Sequence, residues 1–420
     1  MKRLAIAVPT YNRSKDIEYF IEQESFALGY EDVDLLIYDS SENEDTEQVV
    51  GKYLDDGFRN LIYIKYPSKM PSNEKFFRIY MELGEQYDYI WMIHDHTVFL
   101  QEAFEFIYDK LLLDPDFVYL KIHTPPSVTE CKVDEESDLN DFLFSSAWFL
   151  GKIGASIIKS RSFFKDIDWD YYTRKYLNSR RINFSHIGLY FERLSELDHP
   201  KVYTFMFPRE LFEDTHKCET LAWDRDRIRI ATQGWGEAIS SLPDYYSNKE
   251  KVLTTPDRYI ITKYILIDFR EKGLYSLIVF LKYRKWIKKV FPEIYADAKR
   301  IAFMSAEKAK KIYIDPMISY IMDAHADGRS VFVYGAGIHA YECMKLLQQY
   351  DIVPEGFVVS STSGNPSEIG SFPVISLEES VREKKKLCFV LAVMDIYKDD
   401  IIKGINKTNE AGADIEYCTY

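Results

Sequence analysis

Short apolar runs alternate with amphipathic segments over the first hundred residues of the chain. The runs are six or seven residues long and rich in branched and aromatic side chains, as buried strands are, and they span 4–9, 33–39, 61–67 and 88–94. The apolar spacing between them is typical of helices and covers 14–28, begins again near Thr46 and returns at 72–87. Because strands joined by single helices form parallel sheets, this pattern predicts an α/β domain.

The pattern changes twice after residue 100. Up to about residue 250 it is irregular, with FVYLKIH and GASIIKS as predicted strands and HIGLYFERLSEL as a predicted helix, and then 257–312 has helical spacing throughout. A second alternation of strands and helices begins at Ser330. We therefore predict a mixed, mostly parallel α/β domain over 1–250, a helical connector over 251–317 and a small Rossmann-like α/β module over 318–420.

Charge and cysteine content exclude several classes of protein. Lys and Arg number 53 against 67 Asp and Glu, so the net charge of −14 offers no basic footprint, and we expect no nucleic-acid partner. The five cysteines lack C-x-x-C spacing, which predicts neither a disulfide framework nor a zinc cluster and fits a reducing cytoplasm. The apolar runs are also too short to cross a bilayer, so we expect a cytoplasmic protein.

Polar side chains follow three of the four predicted strands. The first strand runs into Pro9-Thr10-Tyr11-Asn12-Arg13, the second into Asp39-Ser40-Ser41, and the fourth into His94-Asp95-His96-Thr97. The carboxyl ends of parallel strands meet at one edge of a sheet, and ligands bind beyond that edge. We therefore expect the three tails to form one site.

Together these tails resemble the nucleotide-binding half of family 2 glycosyltransferases with the GT-A fold, over about residues 1–200. Those enzymes begin with a strand that ends in P-x-Y-N-R, carry an Asp after the second strand and have an Asp-x-Asp-like signature after the fourth. The resemblance implies a GT-A type nucleotide-binding sheet in a bacterial enzyme of surface-polysaccharide biosynthesis. It implies transfer, with inversion, from a nucleoside diphosphate donor, which we expect to be a UDP-sugar, to a hydroxyl of a glycan, glycolipid or glycoprotein.

The resemblance also implies which residues bind the sugar donor. Asp39 would contact the base or ribose, and Asp95 the diphosphate. Asn73 and Lys75, which open the helix before the fourth strand, would reach the nucleotide or its phosphates. The full set of predicted donor-binding residues is Pro9, Thr10, Tyr11, Arg13, Asp39, Ser41, Asn73, Lys75 and Asp95.

The segment that would hold a cation departs from the family pattern. His94-Asp95-His96 stands where the family has Asp-x-Asp, so imidazoles replace both outer carboxylates. Asp95 and His96 are the predicted ligands of a divalent cation, with His216 as a further candidate. An imidazole ligand favours manganese over magnesium, which prefers oxygen ligands.

The catalytic base is also altered in this chain. The family's acidic pair before W-x-L-x-x-R-L is replaced by His186 and Ile187. His186 is the predicted base because imidazole titrates near neutral pH, and Glu237 and Asp170 are the alternatives. Trp235, which stands between two glycines, is either a platform for the acceptor sugar or a core residue.

The C-terminal module contains the glycine-rich stretch GAGIHA at 335–340, after a strand and before a helix, as in a dinucleotide fingerprint. The next strand, GFVVSS, ends without the carboxylate that would bind a ribose. Docking or homo-oligomerisation is therefore the expected role of the module. A nicotinamide-dependent enzyme and a noncatalytic scaffold of a polysaccharide-assembly complex are the alternative functions.

The connector carries a basic segment in an otherwise acidic chain. Residues 274–291 read LYSLIVFLKYRKWIKKVF, with five Lys and Arg residues beside apolar and aromatic ones. This composition suits a helix at an anionic lipid surface, so peripheral contact with the inner face of the plasma membrane is one prediction. The alternative is a helix packed on the domain with a solvated basic face.

Overall fold

The chain folds into two compact units, Met1–Ser305 and Ala306–Tyr420. The computed structural model describes residues 2–123, 130–177, 182–214, 224–257, 260–313, 316–348, 350, 352–382 and 386–420. The predicted connector is divided between the units, since its helices up to residue 302 belong to the first and those from residue 306 to the second.

The first unit is built on a large mixed sheet. Its strands are β1 (Lys2–Thr10), β2 (Val33–Asp39), β3 (Leu61–Lys65), β4 (Tyr87–Met92), β5 (Thr97–Phe99), β6 (Phe117–His123), β7 (Lys132–Glu136), β8 (Ser156–Lys159), β9 (Val202–Pro208) and β10 (Phe212–Asp214). Eight of them form one sheet in the order β3-β2-β1-β4-β8-β6-β9-β7. Strands β3, β2, β1 and β4 are parallel, as are β6 and β9, whereas β8 and β7 run antiparallel to their neighbours. Strands β5 and β10 form a separate antiparallel pair.

Helices join and cover these strands. They are α1 (Ser14–Glu24), α2 (Asp45–Asp55), α3 (Ser72–Leu83), α4 (Gln101–Lys110), α5 (Leu139–Leu150), α6 (Ser160–Phe163), α7 (Trp169–Tyr172), α8 (Ser185–Glu196), α9 (Trp235–Ser240), α10 (Lys249–Val252), α11 (Lys263–Glu271), α12 (Leu277–Val290) and α13 (Tyr295–Ala302). Two π-helical turns, Thr173–Leu177 and Arg229–Gly234, precede α8 and α9. The predicted strands and helices of the first hundred residues are confirmed to within a few residues.

The apolar runs become strands because both of their faces are covered. Strand β2 is buried along its whole length, which is typical of a parallel strand between layers of helices. Helix α1 turns Ile17, Phe20 and Ile21 into the same core. Strands β1 and β2 are paired in register to their last residues, so that Thr10 lies opposite Asp39. The tails that follow these strands therefore start side by side.

The second unit has its own smaller sheet. Its elements are α14 (Ala306–Ile312), α15 (Pro316–Ala326), β11 (Ser330–Tyr334), α16 (Ile338–Gln348), β12 (Gly356–Val359), β13 (Glu368–Ile369), β14 (Phe372–Ser376), α17 (Leu377–Val381), β15 (Leu387–Leu391), α18 (Asp395–Glu410) and β16 (Ile415–Thr419). The order is β13-β14-β12-β11-β15-β16, with every pair parallel except β13 and β14. A large, mostly parallel sheet and a second, smaller one confirm the predicted α/β fold class.

Across the described residues, no helix combines the length and the apolarity that a bilayer crossing requires.

Candidate active site

The tails of β1 and β2 are joined by backbone and side-chain hydrogen bonds. The Ser40 amide donates to the Thr10 carbonyl at 3.2 Å, and the Asn12 amide donates to Ser41 Oγ at 2.7 Å. The Glu42 amide donates to Asn12 Oδ1 at 3.0 Å. Asn12 has φ of +53°, a left-handed conformation that asparagine tolerates better than most residues. The two tails thus form one connected rim at the carboxyl edge of the sheet.

Asp39 holds this rim against β3. It is fully buried, and its carboxylate accepts hydrogen bonds from the Ser41 amide at 2.7 Å and from the Ser41 hydroxyl. It also accepts from Tyr63 Oη and Lys65 Nζ, both at 2.8 Å. Burial opposes ionisation, but the Lys65 and Ser41 hydrogen bonds outweigh it and lower the pKa of Asp39. A base or ribose would reach this carboxylate only by displacing one of these donors.

Asp95 joins the tail of β4 to that of β1. Its Oδ2 accepts from the Thr10 hydroxyl at 2.8 Å, and its Oδ1 accepts from Arg13 Nη1 at 2.8 Å. His96 Nδ1 lies 3.1 Å from the same Oδ1 and 3.2 Å from Arg13 Nη1, and the His96 ring stacks on His94. Burial opposes ionisation, but the contacts with His96, Arg13 and Thr10 lower the pKa of Asp95 to about 2. Asp95 is therefore an anion that orients Arg13.

The first turn of α3 brings a buried ammonium to the same place. Lys75 is only 4% exposed, and its Nζ donates to the Thr10 carbonyl at 2.6 Å. Burial lowers the pKa of Lys75 to about 8, although the nearby Asp39 and Asp95 carboxylates act in the opposite direction. Thr10 links Lys75 to Asp95, since its carbonyl accepts from Lys75 and its hydroxyl donates to Asp95.

Three side chains at this edge have hydrogen-bond donors to spare. Arg13 uses Nη1, and Lys75 uses one of its three N–H groups; among the described residues neither has another partner. Asn73, 4% exposed and also on the first turn of α3, makes no side-chain hydrogen bond within that part of the chain. We call Arg13, Asn73 and Lys75 the N–H cluster. Two cations and an amide with unused N–H groups suit the cluster to an anionic ligand.

The remaining predicted donor-binding residues border the N–H cluster. Pro9 lies half-buried in β1 and Ser41 is buried. Tyr11 is 40% exposed, and its Oη donates to Glu42 Oε1 at 2.6 Å while Lys69 pairs with Glu42 Oε2 at 3.0 Å. The ring of Tyr11 is thus fixed at its hydroxyl and leaves part of its surface available for stacking.

Sequence reasoning missed the contribution of β3. Tyr63 and Lys65 come from this strand, whose tail is not part of the predicted site. Lys65 is paired in register with Asp39, so both residues end neighbouring parallel strands. The sequence does indicate this pair, because a lysine lies near the end of the third predicted strand and an aspartate ends the second.

Asp95 and the side chains around it are not arranged to bind a divalent cation. Both carboxylate oxygens accept from protein donors, and the Arg13 guanidinium lies where a second cation would be repelled. No group of three His, Cys, Asp or Glu side chains suited to a metal occurs in the described ranges. The further candidate His216 lies outside the described residues.

His186 lies inside the protein, behind α3. It is 2% exposed, packs edge-on against Phe76 with ring centroids 6.2 Å apart, and has Nε2 at 3.2 Å from the Gly151 carbonyl. Because a carbonyl only accepts hydrogen bonds, Nε2 must carry the proton. Nδ1 is then unprotonated, and its lone pair has no partner in the described residues. Burial lowers the pKa of His186 to about 4, so the ring is neutral at pH 7. Its neighbour Ile187 is fully buried.

The other predicted catalytic residues are on different helices. Glu237 lies half-buried on α9 and accepts from Gln233 Nε2 at 2.7 Å, and Asp170 is exposed on α7. Trp235 is fully buried, with its indole N–H donating to the Leu253 carbonyl at 3.2 Å. Trp235 is therefore a core residue, and the interpretation as a platform for an acceptor sugar is wrong.

A cavity of about 720 Å³ opens at the opposite edge of the sheet, near the amino ends of β1 and β4. Four of its charged side chains form ion pairs: Lys159 lies 2.7 Å from Asp114, and Arg161 Nε lies 3.1 Å from Asp88. The cavity therefore does not belong to the site at the carboxyl edge.

The fold and the site define an α/β protein whose sheet presents the N–H cluster at its carboxyl edge. No protein-family model matches the chain, and no curated protein matches its sequence. Among solved structures, S. aureus TarS 1–349 in complex with UDP-GlcNAc is 12% identical, with a TM-score of 0.43, and the match covers 74% of this chain and 91% of that one.

A second similar structure is glucosyl-3-phosphoglycerate synthase from Mycobacterium tuberculosis in complex with Mn²⁺, UDP and glucosyl-3-phosphoglycerate. It is 14% identical with a TM-score of 0.37, and the match covers 58% of this chain and 81% of that one. With TM-scores below 0.5 these likenesses are weak, and the function proposed below rests on the site of this chain.

Proposed function

We propose that the first unit is a GT-A type glycosyltransferase that takes a sugar from a nucleoside diphosphate donor, with UDP as the expected nucleotide. The observation that carries this proposal is the N–H cluster at the carboxyl edge of a parallel sheet. Two cationic side chains and an amide with unused donors match the oxygens of a diphosphate. This edge is also where ligands of such sheets bind.

The surrounding residues supply the rest of the donor site. The exposed face of Tyr11 is available to stack on a base. Asp39 holds Ser41 and Lys65 in place at the rim, so it acts on the nucleotide through them or by exchanging one of its hydrogen bonds. Asp95 orients Arg13 toward the phosphates.

The transfer itself breaks the bond between the anomeric carbon and the diphosphate oxygen, and the electron pair leaves with the nucleotide. The acceptor hydroxyl oxygen forms the new bond on the opposite face, which inverts the anomeric centre, and its proton passes to a base. His186 is the proposed base because its Nδ1 has an unpartnered lone pair. Since His186 is buried, this role requires the residues that cover its Nδ1 to move when the acceptor binds. Glu237 and Asp170 are the alternatives.

The acceptor we propose is a surface glycan, glycolipid or glycoprotein, reached by peripheral contact with an anionic membrane. The exposed side of α12 supports this part of the proposal. None of its cations pairs with a carboxylate of the described residues, and Ile278 on the same side is 78% exposed. These cations are Lys282, Arg284, Lys285, Lys288 and Lys289.

Charge reversal on α12 tests the membrane contact. We expect the wild type to sediment with phosphatidylserine vesicles, and Lys285→Glu combined with Lys288→Glu to bind at least about tenfold less, since each surface lysine contributes about 1 kcal/mol. The matched control is Lys15→Glu with Lys165→Glu, which makes the same charge change at exposed positions elsewhere in the unit. Equal binding by both double variants would argue against α12 as the contact.

A thermal-shift panel with a transfer assay tests the function. We expect UDP and at least one UDP-sugar to raise the melting temperature, uridine to raise it less, and NAD⁺ to have no effect. A ligand at a hundred times its dissociation constant adds about 2.7 kcal/mol of stability. Release of UDP on addition of an acceptor then reports transfer.

The rival functions give different results in the same assay. A shift with NAD⁺ and none with UDP would favour the nicotinamide enzyme, and no shift and no UDP release with any nucleotide would favour the scaffold. Either outcome would remove the glycosyltransferase proposal.

A further inference from the structure

We propose that this chain neutralises the diphosphate of its donor with Arg13 and Lys75 and binds the nucleotide without a divalent cation. The inference rests on the proposed function and concerns how the same site works. It starts from the disagreement between the expected cation and the residues present.

The first step is the state of Asp95, the one carboxylate in the segment expected to hold a cation. Its two oxygens accept from Thr10 and Arg13 at 2.8 Å each, and it is 4% exposed. A cation at the remaining lone pair of Oδ2 would lie next to the Arg13 guanidinium on the same carboxylate and would be repelled by it. The ion pair therefore places a protein cation where the expected metal would lie.

The second step is charge balance. A nucleoside diphosphate sugar carries one negative charge on each phosphate, and the leaving nucleotide gains another when the sugar bond breaks. Arg13 and Lys75 bring two positive charges to one edge, and a guanidinium suits phosphate because its N–H groups bind oxygens in pairs. In a partly desolvated site such charges act more strongly than in water. The Asp95 carboxylate offsets one of these charges, so the pair supplies part of the positive charge that a divalent metal would otherwise bring.

The third step is the unmet hydrogen bonding. Lys75 has one protein acceptor, the Thr10 carbonyl, for three N–H groups, and the Asn73 amide has none among the described residues. Both residues are 4% exposed. Both also lie on the first turn of α3, whose N-terminal amides add positive potential. Phosphate oxygens would satisfy all of these donors together.

Metal removal is the direct test, with UDP as the probe and the full chain as the protein. Isothermal titration is done in excess EDTA and again in excess MnCl₂. We expect UDP to bind in EDTA, with a dissociation constant that manganese changes by less than about twofold. Binding that appears only with manganese would overturn the inference.

Variants then identify the cations. Arg13→Met and Lys75→Met should each weaken UDP binding in EDTA by about 10- to 100-fold, as expected for lost hydrogen bonds to a charged group. Uridine, which lacks phosphates, should bind the variants and the wild type equally. Arg13→Lys should recover part of the loss in Arg13→Met, and equal uridine binding shows that Lys75→Met is folded. An unchanged affinity for UDP in both Met variants would contradict the inference.

Arg78→Met is the matched control. Arg78 lies on the exposed side of α3 and pairs with Glu82 at 3.0 Å, so its removal should leave the affinity for UDP unchanged. If UDP fails to bind in EDTA and in manganese alike, it is the glycosyltransferase proposal that fails. This result is distinct from binding that needs manganese, which defeats only the metal-free inference.

Discussion

Asp95→Asn should lower the rate of sugar transfer by about 10²- to 10³-fold while the chain stays folded. The carboxylate accepts from Thr10 and from Arg13, one on each oxygen. An amide of the same shape has only one acceptor oxygen, so Arg13 or Thr10 loses its contact and the guanidinium is no longer held toward the phosphates. UDP release at saturating donor measures the effect, and a thermal melt of the same sample reports folding.

Asp55→Asn is the control for this change. Asp55 is exposed at the end of α2 and forms no ion pair within the described residues, so its substitution should leave both transfer and melting unchanged. If Asp95→Asn transferred sugar at the wild-type rate, Asp95 would not orient the site.

Gly188→Ala should destabilise the first unit by at least about 2 kcal/mol. A Cβ at Gly188, in the middle of α8, would lie 2.0 Å from Cε1 of Tyr176, closer than atoms can approach. Tyr176 cannot easily move because it is fully buried and hydrogen-bonded to Glu192. Either the ring or α8, which also carries His186, must shift. Urea unfolding followed by tryptophan fluorescence measures the loss.

Gly51→Ala is the matched substitution on α2. Nothing lies within 4 Å of a Cβ at Gly51, so alanine should stabilise this helix by up to about 1 kcal/mol through its better helix propensity. If Gly188→Ala were as stable as Gly51→Ala, α8 would not pack against the π-helical turn as tightly as described.

The elements that position the site could be predicted because their patterns are local. The apolar runs at 4–9 and 33–39 are buried on both faces, so nearly every position in them is apolar and the strands were recognised from sequence. Parallel topology alone predicts that the tails of these strands lie at one edge of the sheet. The π-helical turns, in contrast, have no distinct sequence pattern and were not predicted.

The pairing within the site could not be predicted, because it depends on which side chains meet across strands. Arg13 and Asp95 are 82 residues apart, and their ion pair decides whether the carboxylate is available to a metal. Lysine is rarely buried, so nothing in the sequence indicated that Lys75 lies 4% exposed under the rim. The imidazole of His186 makes it a candidate base from sequence, but its burial depends on the packing of α8.

A crystal structure of the full chain with UDP tests the central claim most directly. We expect the diphosphate beyond the carboxyl ends of β1 and β4, with its oxygens within hydrogen-bond distance of Arg13 Nη2 and Lys75 Nζ. UDP bound in the cavity near Asp88 and Lys159, or in the second unit, would contradict it.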